Sequence, residues 1–178
     1  MSISETARKF FEACEIGKGW DECKAYCHSD ATFSAQAEPL ADVNNLQQYT
    51  DWMKGLLTFV PDARYELRSF GTDDERKSVS AYGIFYGTHT GEGGPCPPTG
   101  KSVKTDYVYV MDFDGDKIRH MTKIWNAGLA LKNAVRLFFL SDQSALTSTP
   151  GFFFFRARSF FCSFSQSLLR PASSSAIG

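Results

Sequence analysis

The feature that most constrains the fold is the alternation of side chains at residues 103–113, VKTDYVYVMDF. Side chains two positions apart on a β-strand lie on the same face, so this pattern predicts one long strand. Both faces are largely apolar in its second half, which favours a strand covered on both sides. One face carries Lys104, Asp106, Val108 and Val110, and the other carries Val103, Thr105, Tyr107, Tyr109, Met111 and Phe113.

A tight turn and a second strand follow this first strand directly. Asp114 and Gly115 tolerate the backbone conformations of a hairpin turn, so the chain is predicted to reverse there. Residues 117–126 then form the partner strand. Its alternation predicts Ile118, His120, Thr122, Ile124 and Asn126 on one face, with Met121 and Trp125 on the other.

Helices are predicted mainly in the first third of the chain. The first has an apolar stripe and begins near Ser4 or Thr6, both of which are suitable N-cap residues. A short second helix is predicted at residues 20–27. The third is predicted at residues 46–59, where apolar residues recur at helical spacing up to a proline.

The remaining segments are predicted to be strands and turns. Residues 31–35 form a short strand, residues 64–71 and 78–90 form a hairpin, and the Gly- and Pro-rich residues 91–100 form a loop. This order of elements predicts an α+β fold, in which about three N-terminal helices pack on one face of a curved, mostly antiparallel sheet.

Two compositions meet near residue 135. Residues 1–135 carry 15 basic and 19 acidic side chains, a net charge of -4, whereas residues 136–178 carry four arginines and one aspartate, a net charge of +3. Nine of the 16 phenylalanines lie in the second segment. We therefore predict one domain at residues 1–135 and a poorly ordered Phe/Arg/Ser-rich tail at residues 136–178. The overall net charge of -1 gives no reason to expect nucleic acid or an anionic membrane as a partner.

The five cysteines do not form the pattern of a disulfide framework, and no secretory signal precedes them. Free thiols and a cytoplasmic location are therefore predicted. Cys23, Cys27 and His28 are too few and too irregularly spaced for a metal site, and no metal is predicted.

Four short motifs carry a resemblance to a known family. They are YGTHTGE at residues 86–92, PPTGK at residues 97–101, DGDKI at residues 114–118 and WN at residues 125–126. Over about residues 5–135 the sequence resembles the SnoaL-like polyketide cyclases, which belong to the nuclear transport factor 2-like superfamily. The resemblance implies a cone-shaped α+β barrel with an internal pocket, and a homodimer formed through the outer face of the sheet.

The resemblance also implies a reaction and its residues. Cyclases of this family close a ring by an intramolecular aldol reaction without metal or organic cofactor. By motif position, the acid/base aspartate falls at Asp106 and an assisting histidine at His89. The chain departs from the family near the end of the last strand, where His120 and Asn126 stand in a region that more often carries an acidic residue.

A carboxylate beside Val108 and Val110 would have its pKa raised toward neutrality by desolvation, which suits a base that removes a proton next to a carbonyl. Alternatively, Asp106 lies at a rim and pairs with Lys104 or Lys123. For His89 the alternative to a role in the pocket is purely structural: a histidine at the end of a strand that is hydrogen-bonded to a loop carbonyl. The predicted substrate-binding residues, most of which can equally be core residues, are Tyr107, His120, Trp125, Asn126, Trp52 and Phe85.

Three functional hypotheses follow. The first is a cofactor-independent acid/base enzyme that acts on a carbonyl-containing polyketide-like or aromatic small molecule. The second is a non-catalytic module of the same fold that binds a hydrophobic small molecule or serves in assembly. The third is a dehydratase or isomerase that uses the same pocket, and fold alone does not separate the three.

Overall fold

The computed structural model describes residues 1–92 and 97–130, and it confirms the α+β prediction. The boundary near residue 135 and the predicted tail at residues 136–178 lie outside the described residues. The elements are α1 (Ile3–Glu15), α2 (Trp20–Cys23), β1 (Cys27–Ala35), α3 (Leu46–Phe59), β2 (Arg64–Asp73), β3 (Ser78–Thr88), β4 (Ser102–Asp114) and β5 (Lys117–Trp125), with 3₁₀ turns at Lys24–Tyr26 and Glu38–Leu40.

Side-chain caps fix where the two long helices begin. The Ser2 hydroxyl accepts a hydrogen bond from the Glu5 N–H at 3.2 Å, so α1 is capped by Ser2 and not by the predicted Ser4 or Thr6. The Asn45 side chain accepts from the Gln48 N–H at 2.9 Å and caps α3 in the same way. The second helix is shorter than predicted because its last turn is 3₁₀ and β1 begins already at Cys27.

The five strands form one mixed sheet in the order β1-β5-β4-β3-β2. The central pairs are antiparallel, and β1 joins the edge of β5 in parallel. Strands β1 and β2 stand at opposite edges in this order. The sheet is therefore not closed into a barrel within the described ranges, since its edge strands are not paired with each other.

The helices cover one face of the sheet, which we call the inner face. On β4 this face carries Tyr107, Tyr109 and Met111, all buried, and on α1 the facing side chains Phe10 and Phe11 are fully buried. Burial of this set of apolar side chains is the main source of stability for the domain. The opposite face of β4 carries Lys104, Asp106, Val108 and Val110, which are exposed or half-buried.

A bulge in β5 changes which side chains reach the inner face. Phe113 pairs with Ile118 but Asp112 pairs with His120, so Arg119 is an extra residue between the two pairs. Ile118 is consequently fully buried on the inner face, whereas His120 lies on the outer face. The prediction that both residues share a face is wrong for this reason.

In the part of the chain that the structure describes, no helix is long and apolar enough to cross a membrane.

Candidate functional site

Asp106 lies on the outer face of the sheet, and its side chain is exposed. Its Oδ1 accepts a hydrogen bond from the Tyr82 hydroxyl at 3.2 Å, and its cross-strand partner on β3 is Ile84. The expectation that this carboxylate faces an enclosed apolar interior is therefore wrong. The strand alternation is as predicted, but the helices cover the face of Tyr107 and not the face of Val108.

The two lysines suggested as ion-pair partners of Asp106 have other surroundings. The Lys104 ammonium lies over the Tyr86 ring, 5.6 Å from its centroid. Lys123 is buried on the inner face, on the other side of the sheet from Asp106. The structure thus removes both the enclosed setting and the Lys123 pairing that the sequence suggested for this aspartate.

His89 follows the end of β3 and is 9% exposed. Its Nδ1 lies 3.3 Å from the Thr99 hydroxyl, and its main chain is hydrogen-bonded to Lys101 and Gly100 across the loop. Burial lowers the pKa of this imidazole below its ordinary value, so the neutral form is favoured at neutral pH. His89 and Asp106 do not converge on one space, because the aspartate points outward.

Four of the six predicted substrate-binding side chains lie on the interior side of the sheet: Tyr107, Trp125, Trp52 and Phe85. His120 does not. It lies on the outer face, where its Nδ1 is 2.7 Å from the Thr32 hydroxyl and its Nε2 is 3.2 Å from the Ser34 hydroxyl.

Asn126 is exposed just beyond β5, and its side chain has a structural partner. Its Oδ1 accepts a hydrogen bond from the Leu129 N–H at 3.0 Å and so caps a short helical turn. Asn126 also lines an open cleft of about 450 Å³ between the end of β5 and the segment that follows β1. The cleft is lined by Gln36, Glu38, Pro39, Ile124, Trp125 and Gly128, among others.

The interior contains a buried polar network that the sequence did not reveal. The Lys123 Nζ donates a hydrogen bond to the Tyr49 hydroxyl at 2.9 Å. The Tyr49 and Tyr109 hydroxyls are 2.5 Å apart, and Tyr109 donates to Glu15 Oε1 at 2.5 Å. Lys123 is 6% exposed and Glu15 is 4% exposed. An ammonium and a carboxylate are thus connected through two tyrosine hydroxyls inside the domain.

Aromatic rings enclose the Lys123 ammonium. The rings come from α3, β4 and β5, and their faces offer the favourable electrostatic contact that a desolvated cation requires. The distances from Nζ to the ring centroids are 4.8 Å for Trp125, 5.2 Å for Tyr107, 5.3 Å for Tyr49, 5.6 Å for Tyr109 and 5.9 Å for Trp52. We call these five rings the Lys123 cage.

Burial dominates the electrostatics of this network. It lowers the pKa of Lys123 from 10.5 to about 8, although the negative charge of Glu15 acts in the opposite direction. Burial raises the pKa of Glu15, again against the favourable charge of Lys123. The pKa values of Tyr49 and Tyr109 are raised well above the ordinary range by burial, so both hydroxyls keep their protons. The two protonated hydroxyls therefore link the amine to the carboxyl within this network.

One buried donor of the Lys123 cage, the Trp52 Nε1–H, has no hydrogen-bond partner among the described residues. The Tyr107 hydroxyl, which belongs to the same cage, interacts with Glu15 and lowers the pKa of that carboxyl. An ammonium has three N–H donors, and one hydrogen bond, to Tyr49, is made by Lys123 within residues 1–92 and 97–130. Buried donors without partners are rare, so this cluster suits a ligand or water that brings acceptor oxygens.

Two sequence signals could have indicated this network. Lys123 lies between Met121 and Trp125, so it occupies the inner side of the β5 alternation. Glu15 follows Phe11 by one helical turn, which places it on the apolar stripe of α1. A charge on the buried stripe of each element points to a paired interior site.

The described cysteines are buried and free. Cys14, Cys23 and Cys27 are free and buried, whereas Cys96 and Cys162 lie outside the described residues. No group of three or more His, Cys, Asp or Glu side chains in residues 1–92 and 97–130 is arranged to hold a metal ion.

Several solved structures are similar to this chain. AclR from Streptomyces galilaeus, described as a candidate hydroxylase, is 20% identical with a TM-score of 0.59, and the match covers 76% of this chain and 96% of AclR. IdmH from Streptomyces antibioticus, described as a candidate polyketide cyclase, is 16% identical with a TM-score of 0.61, covering 75% and 98%. A SnoaL-like protein from Jannaschia sp. is 14% identical with a TM-score of 0.61, covering 74% and 90%. These likenesses establish the fold.

The sequence itself decides the family. No curated protein matches it. The family model described as SnoaL-like polyketide cyclase, in contrast, matches residues 5–132, which is well over half of the chain and includes every element of the fold except the first residues of α1. The chain therefore belongs to the SnoaL-like polyketide cyclase family.

Proposed function

We propose that this chain is a cofactor-independent acid/base enzyme that acts on a carbonyl-containing, polyketide-like or aromatic small molecule, in the manner of an aldol cyclase. The observation that carries the proposal is the hydrogen-bonded path from Lys123 through Tyr49 and Tyr109 to Glu15. Family membership supports the reaction class, and this path supplies the groups that can move protons in place of Asp106.

An aldol closure needs a proton removed from the carbon beside a carbonyl, and it needs donors that hold the enolate oxygen which results. In the path, each hydroxyl can accept a proton from the preceding group and donate one to the next. A shift of protons along it moves a positive charge from Lys123 and neutralises Glu15. The Trp52 N–H, which lacks a partner among the described residues, is suited to hold the enolate oxygen.

A non-catalytic binding module of the same fold is the second candidate. The observation that favours it is the close packing of rings in the interior, with Tyr107 and Tyr109 centroids 5.1 Å apart and Trp52 and Trp125 centroids 6.3 Å apart. In such a module, the Lys123 cage would serve only to hold a buried cation, and the ligand would occupy the open cleft beside Trp125.

Mass spectrometry of reactions with aryl 1,3-diketones and longer poly-β-ketones separates these candidates. A cyclase yields a product of unchanged mass, or of the substrate mass less water when dehydration follows, and a dehydratase always loses water. We expect Lys123→Met to lower turnover by about 10²-fold or more, a loss typical of removing a donor or proton carrier from such a site. The matched control is Lys104→Met on the outer face, with turnover unchanged.

The result that would contradict the enzyme proposal is equally specific. Saturable binding of these ketones with no product would identify the chain as a binding module. Equal turnover by the wild type and Lys123→Met would show that the reaction takes place elsewhere. A hydrophobic small-molecule partner, a homodimer and a cytoplasmic location stay predictions.

A further inference from the structure

We infer that the Lys123 amine is a nucleophile that forms a covalent imine with a ketone or aldehyde carbonyl of the ligand. The inference rests on the interior site of the proposed function, and it adds a covalent step and a ligand class to it. It stands on three observations: the enclosed amine, the hydrogen bond to Tyr49 that orients it, and the buried Trp52 N–H of its cage, which has no partner in the described part of the chain.

The surroundings of the amine favour its uncharged form more than those of a surface lysine do. Burial holds the pKa of Lys123 at about 8, so a substantial fraction is uncharged at mildly alkaline pH. The titratable groups that face it come from three elements. They are Glu15 and Cys14 on α1, Tyr49 on α3, and Tyr107 and Tyr109 on β4.

The covalent step balances with the groups that are present. The nitrogen lone pair of Lys123 attacks the carbonyl carbon, and the carbonyl oxygen takes up a proton as the nitrogen loses one, which gives a carbinolamine. Loss of the hydroxyl as water then forms the C=N bond. The sum is amine plus carbonyl giving imine plus water, with no oxidant or reductant. Tyr49, 2.9 Å from Nζ, is placed to carry these protons toward Tyr109 and Glu15.

The remaining contacts indicate what kind of carbonyl compound fits. Five aromatic rings favour a ligand with a flat conjugated body. The Trp52 N–H can donate to a second oxygen on the same molecule. An aromatic ketone with a second carbonyl or hydroxyl group nearby meets both requirements.

Trp125 adjoins both the amine and the open cleft. Its ring centroid lies 4.8 Å from Nζ, and Trp125 is also one of the residues that line the open cleft. One hydrogen bond, from Trp125 Nε1 to the Thr105 hydroxyl at 3.0 Å, helps to hold the ring. A ligand that enters through the cleft would displace this indole to reach the amine.

The test uses the full chain and acetylacetone, a small 1,3-diketone that condenses with amines to a stable enaminone detectable by absorbance and by mass. We expect one adduct per chain, with the mass of the probe less one water, located at Lys123 by peptide mapping. At about pH 7.5, a pKa near 8 gives an uncharged fraction roughly 200-fold above that of an ordinary lysine, so this adduct should form at least tenfold faster than any other.

Four variants make the result decisive. Lys123→Met and Lys123→Arg should both lose the adduct. The arginine variant keeps a cation in the cage, so it still tests the inference if the methionine variant does not fold. Lys104→Met, on the outer face, should keep it. Trp125→Ala, which opens the route from the cleft, should speed its formation several-fold. Adducts spread over several lysines, or an adduct that persists in Lys123→Arg, would overturn the inference.

The inference and the proposed function fail separately. Turnover that depends on Lys123 without any covalent adduct would overturn the imine and leave the acid/base proposal in place. An adduct at Lys123 in a protein that turns over no carbonyl substrate would support the nucleophile and reject the enzyme.

Discussion

Replacing Lys123 by methionine should change the pH dependence of stability in a calculable way. The lysine has a pKa of about 8 in the folded chain, against an ordinary value of 10.5. Between these two values the unfolded chain holds a proton that the folded chain has released. The contribution of Lys123 to the free energy of unfolding therefore rises as the pH increases from about 8 to about 10.5. Below about pH 8 its burial destabilises the folded chain to the full extent.

The magnitude follows from the difference between the two pKa values. Each unit corresponds to roughly 1.4 kcal/mol, so the whole window amounts to about 3 kcal/mol. By about pH 9, only the first part of the window has been crossed, and the gain is about 1 kcal/mol. A series that ends at about pH 9 also avoids most of the titration of tyrosines in the unfolded chain, whose ordinary pKa is about 10.

The assay is urea unfolding of the wild type and of Lys123→Met at a series of pH values from about 6 to about 9. We expect the wild type to gain at least about 1 kcal/mol relative to the variant across this range. Glu15 can only increase this difference. Lys123 lowers the pKa of Glu15 in the wild type, so this pKa is higher in Lys123→Met. A carboxyl whose pKa is raised by folding makes the protein less stable as the pH rises, and this loss is therefore larger in the variant.

A flat difference between the two proteins would refute this reasoning, because it would mean that Lys123 keeps an ordinary pKa and is not held in a dry interior. A lysine pKa raised by the attraction of Glu15 would also leave the difference flat, because such a group titrates only above about 10.5. A matched control is Lys104→Met on the outer face, for which the curve should parallel that of the wild type.

Three further outcomes are expected. Tyr109→Phe removes the hydroxyl that joins Tyr49 to Glu15 and should cost about 1–3 kcal/mol in urea unfolding, whereas Tyr82→Phe on the outer face should cost much less. Gly91→Ala would place a Cβ 1.9 Å from the Thr58 carbonyl oxygen and should cost about 1–3 kcal/mol, whereas Gly71→Ala meets no atom within 4 Å and should unfold like the wild type. Asp106→Asn should leave turnover of the ketone substrates unchanged, and a large loss would return that aspartate to the site.

The fold was predictable from the sequence because the strands and helices have clear periods. The alternation at residues 103–113 and the turn at Asp114 and Gly115 correspond to the observed hairpin of β4 and β5. The alternation did not predict which face is covered, since Val108 and Tyr107 both look apolar. The side of Asp106 was therefore assigned wrongly.

The interior network was harder to infer, for two physical reasons. It joins α1, α3, β4 and β5, so its members are distant along the chain and no local spacing brings them together. The bulge at Arg119 also shifts the alternation within β5, and one extra residue exchanges inner and outer side chains. Lys123 and Glu15 indicate an interior site only when both are known to lie on the buried sides of their elements.

The most direct test of the account is nuclear magnetic resonance of the lysine ε-carbons in protein labelled with ¹³C-lysine. We expect one resonance that titrates near pH 8, is absent from Lys123→Met, and shifts when an aryl 1,3-diketone binds while those of the surface lysines stay in place. Lysine resonances that all titrate near the ordinary value of about 10.4 and do not respond to the ketone would contradict it.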